Sequence, residues 1–169
     1  MKNNNILLLV IIALATWANT TRAMHNTCQW NQLIDKKGNT VLHKVVLELF
    51  KRENNLGSYI KTYKQAIKDG ADDSIGNNGG FTPDMLFKKC LKYHICKAID
   101  EDSRINLHAL LFNAPEVCTV PTHPLNDTPL TYAIKKKNLY AQACIEYCIR
   151  NGEFAPSYID IIEKITDNL

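Results

Sequence analysis

The sequence predicts an all-α fold, and three observations carry that prediction. Apolar residues recur at three- and four-residue steps through most of the chain, and turn clusters rich in Gly, Asn, Asp and Pro separate these stretches. No stretch shows the strict alternation of a half-buried strand. With 169 residues, 46% of them hydrophobic and 22% charged, the chain can bury one core, which excludes disorder by low hydrophobicity.

Residues 1–23 have the layout of an export signal and stand outside the fold. Lys2 gives a weakly positive start, Ile6 to Ala15 is an unbroken apolar run, and small residues offer cleavage after Ala18 or Ala23. The run is short for a membrane span, which needs about 20 residues. The reading is a cleaved signal, with an uncleaved N-terminal anchor as the alternative. Residues 24–169 then form the working domain, exported to a periplasm or the extracellular space, without stable membrane insertion and as a monomer. Loss of Lys2 and Arg22 leaves 18 basic against 17 acidic residues, a net charge of +1. A general nucleic-acid binder needs a strongly basic face. The compact basic run Lys135-Lys136-Lys137 reads instead as a solvated helix face.

The elements follow in order. Cys28 to Ile34 is a short lead-in that ends in the turn cluster Asp35-Lys36-Lys37-Gly38-Asn39. From Thr40 to Arg52, Val41, Leu42, Val45, Val46, Leu49 and Phe50 fall on one face, which makes an amphipathic helix. A second helix, about Ser58 to Lys68, turns Tyr59, Ile60, Tyr63, Ala66 and Ile67 inward and stops at Asp69-Gly70, where Gly suits the left-handed closing residue. Asp72 to Gly80 is a loop by composition. Thr82-Pro83 starts the next helix, with Thr as cap and Pro at the first position. Helix continues from Met85 to Ala98 and, after the acidic break Asp100-Glu101-Asp102, from Asn106 to Phe112. Ala114 to Pro124, with three prolines, is a loop or ordered connector. Thr128-Pro129 repeats the helix start. Helices are expected at about Pro129 to Lys136, Leu139 to Asn151 and Pro156 to Ile165.

The same phrase, a turn followed by Thr and an apolar helix start, occurs three times. The copies are Gly38-Asn39-Thr40-Val41-Leu42-His43, Gly80-Phe81-Thr82-Pro83-Asp84-Met85 and Asn126-Asp127-Thr128-Pro129-Leu130-Thr131. This phrase resembles the ankyrin repeat, whose Gly-x-Thr-Pro-Leu-His start leads into two antiparallel helices and a Gly-Ala-Asp turn. The first copy matches at Asp35, Gly38, Thr40, Leu42 and His43, with Val41 in place of Pro, and closes in Gly70-Ala71-Asp72. The third matches at Thr128, Pro129, Leu130 and Ala133, and Cys144 to Gly152 has the apolar pattern of a second helix.

The resemblance covers Asp35 to Gly152 and implies a short helical solenoid of three to four irregular helix-turn-helix repeats. Cys28 to Ile34 and Pro156 to Ile165 would be its terminal caps. The family repeat is about 33 residues long, so extra residues around Lys51 to Gly57 and a degenerate unit within Leu91 to Val120, starting at Ile105 to Leu110, are expected. In such a stack each helix pair is stable because its neighbours cover its apolar flanks.

The resemblance implies a non-catalytic module that binds a protein partner through its turn tips and first-helix faces. On this analogy the contact residues are Asp35, Lys36, Lys37, Lys44, Asn78, Gly79, Asn126, Lys135 and Lys136. The alternative is a disulfide-braced helical secreted protein acting as toxin, inhibitor or ligand carrier.

The chemically capable residues read as structural. Thr40 and His43 can meet on a helix, and in this family the pair resembles a device that ties the turn to the helix. Cys90 and His94 share a helical face, but zinc needs four ligands and no Cys-x-x-Cys occurs. The six cysteines, 28, 90, 96, 118, 144 and 148, are read as core thiols or as disulfide partners in any of 15 pairings. Cys144 and Cys148 are awkward partners for each other, because a bridge needs close and facing Cβ atoms. None of the five His carries a local signature with a thiol. Gly76 to Gly80 lacks the Lys and Ser/Thr of a phosphate loop, so no cofactor, metal or catalytic residue is expected. Asn126-Asp127-Thr128 is a formal glycosylation acceptor, and the same residues serve as a helix-capping turn.

Overall fold

A computed structural model describes residues 29–51, 55–120, 127–155 and 159–166. Among these residues the chain is helical and forms no strand; an isolated antiparallel bridge joins Leu33 and Thr40 across the first turn. The helices are α1 (Val41–Lys51), α2 (Leu56–Lys68), α3 (Pro83–Asp100), α4 (Arg104–Asn113), α5 (Pro129–Lys136), α6 (Leu139–Asn151) and α7 (Ile159–Thr166), with a 3-10 turn at Pro115–Thr119 between α4 and α5. Among the described residues no helix is long and apolar enough to cross a membrane. The expected signal at 1–23, and Cys28, lie outside the described residues.

The three repeated threonines all cap helices. Thr40, Thr82 and Thr128 accept hydrogen bonds through their hydroxyls from the backbone N–H of His43, Met85 and Thr131 at 3.3, 3.2 and 3.2 Å. Each satisfies one of the donors that a helix start leaves unpaired. Pro83 and Pro129 occupy the first helical position, where a missing N–H costs nothing. At the other ends, Gly152 closes α6 at φ 73° and Lys137 closes α5 at φ 57°, both left-handed.

The helices pair as hairpins: α1 with α2, α3 with α4, and α5 with α6. Across pairs, α1 touches α3 and α3 touches α5, while α2 touches α4 and α4 touches α6. The first helices therefore form one row and the second helices another, and the core lies between them. Leu42, Val46, Leu49, Ile60, Leu91, Ile95, Leu110, Leu111 and Ile145 are sealed from solvent there. At about 25 cal/mol per Å2, full burial of each such side chain contributes roughly 1.5–3 kcal/mol.

One expectation needs revision. Ile105 to Leu110 does not open a further unit; it lies inside α4, the return helix of the second pair. Asp102 takes a left-handed conformation (φ 50°) and Ser103 caps Asn106, so the chain reverses within three residues. Leu107, Leu110 and Leu111 are thereby buried, and the described residues hold three helix pairs. In the described part of the connector after α4, Val117 and Cys118 are buried beneath α4 and α6, and residues 121–126 lie outside the described residues. The last helix, Ile159–Thr166, packs on α6 and buries Ile162; its expected start at Pro156 lies outside the described residues.

Candidate functional site

The first turn is built by its own side chains. The Asp35 carboxylate accepts from the Lys37 N–H (2.9 Å), the Asn39 N–H (3.0 Å) and the Asn39 side-chain amide (2.8 Å). These bonds, first those from Asn39, hold the carboxyl below its ordinary range. Gly38 supplies the left-handed residue at φ 73°.

This turn is tied to the loop before α3. The Asn78 backbone N–H donates to the Lys37 carbonyl and its side-chain amide to the Lys36 carbonyl, each at 2.9 Å. The Asn77 amide donates to Asn39 Oδ1 at 2.9 Å. Beneath the turn, the Thr40 N–H donates to His43 Nδ1 at 3.1 Å, so that ring nitrogen is the acceptor. Nε2 then carries the hydrogen and donates to the Phe81 carbonyl at 2.9 Å, across 38 positions of sequence. His43 is a buried joint between the first two helix pairs, and its ring has no nitrogen left for catalysis.

The residues expected to contact a partner divide into three groups. Lys36, Lys37 and Lys44 are exposed and have no carboxylate partner among the described residues. Asp35 and Asn78 are exposed but committed to the turn, and the Gly79 N–H donates to Asn77 Oδ1. Lys135 is paired with Asp127 and Lys136 with Asp100, both at 2.6 Å. Asn126 lies outside the described residues.

One stripe of this surface escapes a reading by motif. Along the solvent face of α3, Met85 (57% exposed), Lys89 and Tyr93 (49%) follow at four-residue steps, with Lys92 and Cys96 beside them. Lys89, Lys92, Tyr93 and Cys96 line a trough of about 290 Å3, and Ile134 on α5 is half exposed. The spacing from Met85 to Tyr93 was available in the sequence, but only burial of the opposite face shows that this side is the free one.

The other polar residues are fitted into the core. His94 Nε2 bonds the Leu49 carbonyl at 2.9 Å, joining α3 to α1. His108 Nε2 meets the Tyr140 hydroxyl at 2.6 Å, and Arg104 lies 4.2 Å from the centre of the Tyr140 ring while pairing with Glu163. Burial, the largest influence, holds His108 below its ordinary value. Cys90, Cys118, Cys144 and Cys148 are buried free thiols, and Cys96 is a half-buried one. Burial pushes Cys90 and Cys144 up to about 12, and a hydrogen bond with Cys148 followed by burial raises Cys118. Among the described residues no three metal-ligating side chains come together.

No protein-family model matches the sequence, and no curated protein and no solved structure matches it either.

Proposed function

We propose that this chain is an exported, non-catalytic interaction module of ankyrin type. Its three helix pairs stack as a short solenoid, and the turn tips and first-helix faces engage a protein partner. The observation that carries this reading is the joint at His43. A Thr-capped helix start in one pair is hydrogen-bonded, through a buried imidazole, to the backbone of the next pair's turn. That linkage agrees with the resemblance of the Thr40 to His43 phrase to the ankyrin start. The row-by-row contacts between helices also suit a stack in which neighbours cover one another's flanks.

The contact surface would comprise Lys36, Lys37 and Lys44 at the first turn and Met85, Lys89, Tyr93 and Ile134 on the first-helix faces. Lys135 and Lys136 would sit at its edge, already neutralised by carboxylates. Half-exposed apolar and aromatic side chains ringed by lysines are the composition of an interface anchor and its rim. The module needs no cofactor, and export would deliver it to a periplasm or the extracellular space as a monomer.

Affinity capture with residues 24–169 against extracts of the source and its host tests this reading. One protein recovered in stoichiometric amount supports it, and loss of that capture on Lys36→Glu, Lys37→Glu and Lys44→Glu, at an unchanged melting temperature, maps the face. Retention of nothing over a wide salt range removes the proposal.

A further inference from the structure

The second-helix row carries a groove that the proposed interaction face does not use. Lys61, Lys64 and Lys68 follow at steps of three and four residues and so share one side of α2. Trp30 from the N-terminal lead-in, and Phe112 and Asn113 from the end of α4, flank that side, and together they line a groove of about 610 Å3. The lead-in is anchored there, because Asn31 Oδ1 accepts the Asp72 N–H at 3.0 Å. Both aromatic rings are half-buried and packed against the core, which makes them fixed walls.

The uncompensated charge along this groove is positive. Lys64 pairs with Glu116 at 2.8 Å, but Lys61 and Lys68 are exposed and have no carboxylate partner among the described residues. No carboxylate is among the lining residues. An occupant that satisfies the site must therefore carry negative charge and apolar surface together. Asn113 adds a further requirement. Its amide nitrogen donates to the Ala109 carbonyl at 2.7 Å, so its side-chain oxygen is left as an acceptor beside the lysines. A peptide backbone offers an N–H to such an acceptor, whereas a phosphodiester backbone has none. From Lys61 to Lys68 the helix advances about 10 Å at 1.5 Å per residue. That is the reach of roughly three residues of extended chain.

We propose that this groove binds an acidic segment of a partner protein in extended form, with apolar side chains set against Trp30 and Phe112 and carboxylates against Lys61 and Lys68. The site stands apart from the turn tips and does not depend on them.

Trp30 makes the test direct. In the full chain with Trp17→Phe, Trp30 is the remaining indole, and a heptapeptide alternating glutamate with leucine is titrated at low salt. The expected result is a saturable change in Trp30 emission that weakens as salt rises. Lys61→Glu with Lys68→Glu should weaken binding about tenfold, because each reversal replaces an attraction by a repulsion. Both residues are exposed, so circular dichroism and melting should be unchanged, and Lys36→Glu with Lys37→Glu should leave the titration as it was. Equal affinity of the Lys61 and Lys68 variant, absence of saturable binding up to millimolar peptide, or tighter binding of a single-stranded oligonucleotide than of the peptide would each overturn the assignment.

Discussion

Replacing His43 with alanine tests the joint between the first two helix pairs. The imidazole is fully buried, accepts from the Thr40 N–H and donates to the Phe81 carbonyl. Its removal leaves the Thr40 amide, also fully buried, without an acceptor, which costs about 1–3 kcal/mol. The void left by the ring adds about 2 kcal/mol, judged from other large-to-alanine changes in cores. The Phe81 carbonyl also accepts the Asn77 N–H at 2.9 Å, so loss of the ring leaves it hydrogen-bonded and adds little. The expected loss is about 3–5 kcal/mol, a large share of the roughly 5–15 kcal/mol that holds a typical domain together. Urea unfolding of residues 24–169, followed by circular dichroism, should show the midpoint falling by about 2 M at an unchanged slope. Combining His43→Ala with Thr40→Ala should cost less than the sum of the two, because both remove one shared network. A loss below about 1 kcal/mol, or strict additivity, would mean that the amide is satisfied without the ring and would refute the reasoning.

Three further outcomes are expected. Gly38→Ala should destabilise by about 2 kcal/mol, because Gly38 is left-handed and a Cβ there would meet Asn78 Oδ1 at 2.5 Å and Asn78 N at 3.2 Å; urea unfolding measures it, and a neutral result would show that the two turns are not locked together. Burial holds the His108 proton affinity in the folded state below the ordinary 6.5 of the unfolded chain. Its contribution is therefore complete above that value and is lost as pH falls through the lowered folded value. His108→Gln should flatten the stability profile as pH falls below about 6.5, and an unchanged slope there would show that another group sets it. Finally, a thiol reagent should modify Cys96 well before Cys90, Cys118, Cys144 and Cys148, which are buried and should react only on unfolding. Peptide mapping after timed labelling reads the order, and early modification of Cys90 or Cys144 would contradict their burial.

Much of the local structure was legible because it is written in short-range chemistry. The helix at Val41–Lys51 follows from the steps between Leu42, Val46 and Leu49, and the starts of α3 and α5 follow from Thr-Pro pairs whose hydroxyl and missing N–H act within one turn. The candidate contact residues were only partly legible. Lys36, Lys37 and Lys44 are exposed and have no carboxylate partner among the described residues, but the partners of Lys135, Lys136 and Asn78 come from residues 8, 36 and 42 positions away.

The sequence by itself thus determined which stretches are helical, where α1, α3, α5 and α6 start, and which face of each is apolar, since periodicity and capping act within four residues. Only the tertiary structure decided that Ile105 to Leu110 returns over α3 instead of opening a new unit. It also decided that His43 reaches Phe81, and that Trp30 and Phe112, 82 positions apart, wall one basic groove. Such pairings depend on how the helices stack, and the hydrophobic effect that drives stacking is non-directional. An apolar stripe shows that a face must be covered, but not which neighbour covers it.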